Sequence, residues 1–163
     1  MVGMSAESKK KSEGPKVQVI ARNRRALYDY ELEEKLECGI QLQGTEVKVL
    51  RAHHASLEEA WAEVADDELW LIGMNIPIYT AGSWTNHEEK RRRKLLAHKR
   101  EIRKLAQRVN QKGKTIIPLE MYFDGNGRVK VVIAVGSGKR EHDKRESIKQ
   151  RETDLEIRRA MRR

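Results

Sequence analysis

One cysteine, Cys38, is all that 163 residues contain, so an internal disulfide and a thiolate cluster for zinc are both excluded. Cys38 itself reads as a small buried apolar residue. Long apolar runs are missing too: nothing approaches the roughly 20 residues that cross a bilayer. The N-terminal "MVGMSAESKKKSEGPK" carries lysines with no apolar stretch behind them, unlike a secretory leader. Membrane association is therefore set aside, and the cytosol is the expected compartment. Catalytic signatures are also scarce. "GNG" and "GSG" are too short for a dinucleotide loop, no lysine follows a phosphate-cradling glycine turn, and no serine sits in a nucleophile-elbow context. The carboxylates form no cluster suited to magnesium and phosphodiester cleavage. An enzyme is not the expected class, although catalytic groups assemble in space and not in sequence. The histidines, His53, His54, His87, His98 and His142, match no metal spacing, and neighbours such as His53 and His54 cannot share a helical face. They read as solvated, and no metal or cofactor is expected.

What the chain has in abundance is positive charge. Lys and Arg number 34 against 25 Asp and Glu, a formal charge of +9, which favours encounters with polyanions such as nucleic acid or ribosomes. The length suits one compact domain with tails.

Three parts are distinguishable. Residues 1–15 are rich in Ser, Lys, Glu and Gly without apolar periodicity, and are expected to be a disordered arm. Residues 16–135 carry the folding signals. Val17 and Val19 alternate with polar neighbours, as do Tyr28, Tyr30 and Leu32, and "LECGIQL" puts Leu36, Cys38, Ile40 and Leu42 on one side. "DDELWLI" sets Leu69 and Leu71 against Trp70 and Ile72. Ile117, Leu119, Met121 and Phe123 alternate up to "DGNG", and Val129, Val131, Ile133 and Val135 return, which predicts a hairpin. "GTEVKVLR" predicts a short helix from Thr45, and Ser56 with Glu59 a capping box for another turn. "NHEEKRRRKLLAHKREIRKLAQRVN" predicts one long helix capped by Asn86, with an apolar stripe and a basic ridge. Short antiparallel strands with marginal helices suggest a small barrel or sandwich. Residues 136–163 are expected to be a separate basic tail, too charged to collapse alone and marginal as an isolated helix.

Two basic segments look like binding elements. Residues 89–104, "EKRRRKLLAHKREIRK", hold nine Lys and Arg, with Arg91, Arg92 and Arg93 consecutive and no acidic partner at short range. Such a face contacts phosphates and releases counterions; the bland alternative is a solvated helix face. In "ARNRRALYDY", Asn23, Arg24 and Arg25 precede Tyr28 and Tyr30, joining phosphate donors to rings on which bases stack; the alternative is that both tyrosines pack in the barrel.

Four stretches in order, "ARNRRALYDY", "LECGIQLQGTEVKVLR", "NHEEKRRRKLLAHKREI" and "GKREHDKRESIKQRE", resemble the SmpB family of transfer-messenger RNA (tmRNA) binding proteins. The resemblance implies a mainly β fold: an OB-fold-like antiparallel β-barrel with flanking helices and a disordered basic C-terminal tail. It implies binding to the tRNA-like domain of tmRNA, delivery with elongation factor Tu, and rescue of stalled ribosomes by trans-translation, with no bond broken by the protein and a monomer on the RNA. By the same resemblance Glu37, Leu96 and Lys130 match positions implicated in RNA binding, with Asn23, Arg24, Arg25, Tyr30, Thr45, Glu46, Lys48, Asn86, His87, Arg91, Arg93 and Lys94 in the same motifs. Lys139, Arg140, Asp143, Lys144, Arg145, Ile148 and Lys149 fall in the tail that such proteins fold into the empty mRNA channel, against 16S rRNA of the decoding centre. Tyr28, Val49, Glu89, Ser137 and Thr153 depart from the usual family residues.

Overall fold

The computed structural model describes residues 17–81, 86–110, 113–138 and 141–162. The expected disordered arm lies outside the described residues, as do Lys139 and Arg140. In chain order the elements are β1 (Gln18–Arg22), α1 (Ala26–Asp29), β2 (Tyr30–Ile40), α2 (Gly44–Arg51), β3 (Trp61–Ala65), β4 (Glu68–Ile72), β5 (Arg93–Leu96), α3 (Lys99–Val109), β6 (Lys114–Phe123), β7 (Val129–Gly138) and α4 (Glu141–Met161). Every strand pairing is antiparallel. The order β6-β3-β4-β5-β2-β7 closes on itself through the β6–β7 pairing, and β1 joins β6 outside that ring. The mainly β barrel with flanking helices is therefore what forms.

The β6–β7 hairpin is built as "DGNG" predicts. The Asp124 carboxylate accepts the N–H groups of Asn126 and Arg128 at 2.9 Å each, and Gly127 takes the left-handed conformation at φ 76° that favours glycine. Inside the ring, Cys38, Leu69, Leu71, Leu95, Met121, Val131 and Ile133 meet Val49 and Leu50 of α2 and Ile102 and Leu105 of α3. Burial, reinforced by the Glu101 and Glu37 carboxylates, pushes the Cys38 thiol up to about 12, so it stays protonated.

Tertiary structure overrules local pattern at several points. The single helix predicted from Asn86 is instead a loop, a strand and a shorter helix. Arg93–Leu96 is drawn between β4 and β2, with Leu95 opposite Leu69 and Ile40, so its burial alternates with period two. The helix starts only after His98, whose N–H is accepted by Glu101 at 3.2 Å. Ser56 caps no helix; it forms an isolated bridge with Asn75. Tyr28 lies in α1, and the strand begins at Tyr30.

The β6 alternation is broken between Pro118 and Glu120, where one extra residue enters the β7 pairing. This bulge keeps Met121 and Phe123 in the core but turns Leu119 outward. Asn23 holds it: its N–H donates to the Leu119 carbonyl at 2.8 Å and its side-chain amide to the carbonyls of Pro118 and Leu57 at 3.1 and 3.3 Å. The Asn23 side-chain oxygen accepts the Ala26 N–H at 3.2 Å, tying α1 to the same joint.

The sequence places the start of the basic tail at Gly136. β7 runs to Gly138, and Glu141–Met161 is helical. No Pro or Gly interrupts that stretch and most of its residues are good helix formers. Its described side chains are exposed. The Arg151 guanidinium lies 6.0 Å from the Tyr28 ring, linking α4 to α1.

Candidate nucleic-acid interface

Residues two apart on a strand share a face, and here that rule assembles side chains from distant parts of the sequence. Gly39 on β2 stands opposite Leu96 on β5 and opposite Lys130 on β7; Lys130 in turn faces Tyr122 on β6. The next outward row is Glu37, Val132 and Glu120. Glu37, Leu96 and Lys130 thus meet on one outer patch. Leu96 is 51% exposed, unusual for a leucine ending a barrel strand. Glycine at 39 favours this: a Cβ there would stand 3.3 Å from the Leu96 Cβ, a tight contact, so Gly lets the leucine lie close across the strand. A cavity of about 410 Å³ opens alongside, lined by Leu42, Val47, Leu96, Arg128 and Lys130.

Tyr122 was not among the residues expected in the site. Burial raises its phenol to about 12, helped by hydrogen bonding to Glu37; the neutral hydroxyl donates and steadies that carboxylate. The sequence signal was the β6 alternation, which puts Tyr122 on the face opposite Met121 and Phe123.

A second group of predicted residues converges, but inward. The Glu46 carboxylate, wholly buried, accepts Arg91 Nε at 2.5 Å and Arg93 Nε at 2.6 Å. The arginine run has its acidic partner at long range: it comes from α2, more than forty residues earlier. Arg93 is 0% exposed and also donates to the carbonyls of Met74 at 2.9 Å, Arg91 at 3.1 Å and Glu89 at 3.1 Å. Burial pulls its guanidinium below the usual value, and Glu46 opposes that. His87 is buried between the Thr45 hydroxyl and the Ile76 carbonyl, 2.9 Å from each, with Nε2–H donating to the latter. Asn86 exchanges hydrogen bonds with the Tyr79 backbone at 2.7 and 3.1 Å. Asn23, Glu46, His87 and Arg93 are therefore buried joints, not surface contacts. Glu46, His87 and Arg93 place the loop before β5, and Asn23 the β6 bulge.

Among cations that reach solvent, pairing separates two kinds. Lys94 is held by Glu68 at 2.9 Å, Lys104 and Arg108 each by Glu34 at 3.2 Å, and Lys114 by Glu33. The basic ridge expected on α3 is thus partly neutralised by β2, and Lys104 and Arg108 hold the Glu34 carboxyl below its usual range. Lys48 sits 5.3 Å from the Tyr79 ring and Arg92 sits 4.2 Å from the Trp70 ring, cation–π contacts that leave their charge available. Arg24 and Arg25 are exposed and Tyr30 is half-buried. Of the predicted tail residues, Arg145, Ile148 and Lys149 are exposed on α4, while Asp143 and Lys144 are placed only as part of that helix. Among the described residues, no group of three His, Cys, Asp or Glu is placed to hold a metal ion, and no helix is long and apolar enough to cross a membrane.

A closed antiparallel barrel with an outward patch of leucine, carboxylate and cations is the kind of surface small OB-type barrels offer to nucleic acid. The sequence profile of the SmpB protein family matches residues 20–163, and the chain belongs to that family. The "SsrA-binding protein" of Thermobifida fusca (strain YX) is 49% identical over 158 residues, covering 97% of this chain and 98% of its own. That of Sphingomonas elodea is 50% identical over 147 residues, covering 90% and 92%. A solved chain from "tmRNA-SmpB: a journey to the center of the bacterial ribosome" is 43% identical and superposes with a TM-score of 0.65, covering 80% of this chain and 94% of its own.

Proposed function

We propose that this protein binds the tRNA-like domain of tmRNA and, with it, rescues stalled ribosomes by trans-translation in the bacterial cytoplasm, as a monomer on the RNA and without catalysing a reaction. Family membership and the relatives' names support this reading, and one observation carries it: the barrel gathers Glu37, Leu96 and Lys130 around Gly39. Leu96 supplies an apolar platform, Lys130 a phosphate contact and Glu37 an acceptor for a base amino group, the element that confers specificity. Arg24, Arg25 and Lys48 extend the contact to neighbouring phosphates. Asn23, Thr45, Glu46, Asn86, His87, Arg91 and Arg93 act by holding strands and loop in register. Elongation factor Tu joins in delivery. The tail, Lys139, Arg140, Asp143, Lys144, Arg145, Ile148 and Lys149 included, enters the empty mRNA channel against 16S rRNA, where phosphates neutralise its charge and an occupying message excludes it.

The test is titration against the tRNA-like domain, with and without residues 139–163, and with poly-uridine as competitor. Selective binding that survives truncation, with tagging on stalled ribosomes abolished, is the expected result. Equal competition by poly-uridine would instead indicate a general single-strand or ribosomal RNA-binding protein, and magnesium-dependent turnover of the RNA a hydrolase. Loss of RNA affinity on truncation would overturn the division between barrel and tail.

A further inference from the structure

Beside the Leu96–Lys130 patch, a cavity of about 350 Å³ opens where α1 lies over β6, β7 and β2. Its floor is apolar, made by Leu27, Leu119 and Val132, and its rim carries Arg22, Arg24 and Lys35. Leu27 is 58% exposed on a helix of one turn. Leu119 reaches the floor only because the β6 bulge, clamped by Asn23, turns it outward. Val132 lies in the same row as Glu37, so the cavity continues the patch already described. The rim charges differ. Arg22 is occupied by Glu120 at 3.4 Å, whereas among the described residues Arg24 and Lys35 have no ion pair.

An apolar floor beneath uncommitted cations matches the two halves of a nucleotide. A duplex cannot enter so small a cavity; a single splayed base can, with its phosphate at the rim. An acidic peptide would satisfy the cations but leaves the position beside Glu37 unexplained. We propose that this cavity receives one unpaired nucleotide of the bound RNA, its base on Leu27, Leu119 and Val132 and its phosphate between Arg24 and Lys35. The proposal rests on the RNA-binding reading above and adds to it a subsite and a ligand class.

The experiment uses the full chain and the tRNA-like domain of tmRNA, comparing wild type with Leu27→Asp, Leu27→Ala and Lys35→Ala by titration and by nucleotide-resolved 2′-hydroxyl acylation. Leu27 is exposed, so both of its variants are expected to keep the wild-type melting temperature, which is measured alongside. The expected result is one unpaired nucleotide protected by wild type and exposed again with Leu27→Asp, with affinity about tenfold weaker, the scale of losing part of one leucine's apolar burial. Removing that nucleotide's base from the RNA should weaken wild type as much and Leu27→Asp no further. Lys35→Ala should lower the salt slope by about one. Binding by both Leu27 variants within twofold of wild type, or an unchanged acylation pattern, overturns the subsite while leaving the RNA-binding reading intact. Failure of wild type itself to prefer the tRNA-like domain over poly-uridine strikes that reading instead.

Discussion

Two segments of this chain that bear several Lys and Arg meet opposite fates. In residues 90–94, "KRRRK", the end of the run enters the barrel wall as β5, and Glu46 accepts Arg91 and Arg93, leaving Arg93 with no exposed surface. The helix α4, with "DKRESIKQRE" in its first half, keeps its described side chains in solvent. Charge density alone does not say whether a cation recognises a ligand or holds the fold. The deciding factor is a carboxylate delivered from elsewhere, because a buried guanidinium is tolerated only when paired and hydrogen-bonded.

The largest effect expected from this contrast is on Glu46. Glu46→Ala strands two arginines and should destabilise the fold by about 3–5 kcal/mol, whereas removing residues 139–163 should leave the denaturant midpoint nearly unchanged. Equilibrium unfolding of both variants checks this, and equal losses would erase the distinction.

Alkaline unfolding offers a second break. Cys38 is raised from 9.0 to about 12 and Tyr122 from 10.0 to about 12. The folded state therefore binds more protons than the unfolded state above pH 9, and stability falls as pH rises from 9 towards 12. The cysteine's share is at most about 4 kcal/mol at the upper end. Cys38→Ala should flatten that decline, and truncating α4 should not; chemical denaturation at stepped pH measures both.

Smaller effects separate the outer patch from the buried cluster. Lys130→Ala should weaken RNA binding by about tenfold or less, lower the salt slope by about one, and leave stability alone. Arg93→Ala should show the reverse bias, its main loss appearing in unfolding and not in salt dependence. Smallest of all is Thr153→Ala: its hydroxyl only donates to the Lys149 carbonyl within α4 at 2.9 Å, and a stability change within about 0.5 kcal/mol is expected for so exposed a site.

Much of the barrel was legible because strand alternation is local. "LECGIQL", "DDELWLI" and the "DGNG" hairpin lie on strands or turns as their patterns predict. The segment from Asn86 misled because Leu95, Ile102, Leu105 and Val109 also fit helical spacing, and only the vacancy between β4 and β2 draws Arg93–Leu96 into a strand. The bulge at Pro118–Glu120 had one local sign, Pro118, which cannot donate to the ladder, but the Asn23 hydrogen bonds that hold it come from outside β6. Motif resemblance found Glu46, His87 and Arg93 but could not tell contact from support.

By itself the sequence determined the strand periodicity, the hairpin turn, the excess of positive charge and the family, since each is written in neighbouring residues or in ordered motifs. Which cations face solvent, which carboxylate neutralises which arginine, and how Glu37, Leu96 and Lys130 come to share one patch were decided by the tertiary structure. Those outcomes depend on barrel register and closure, which join residues more than ninety positions apart and which no local pattern encodes.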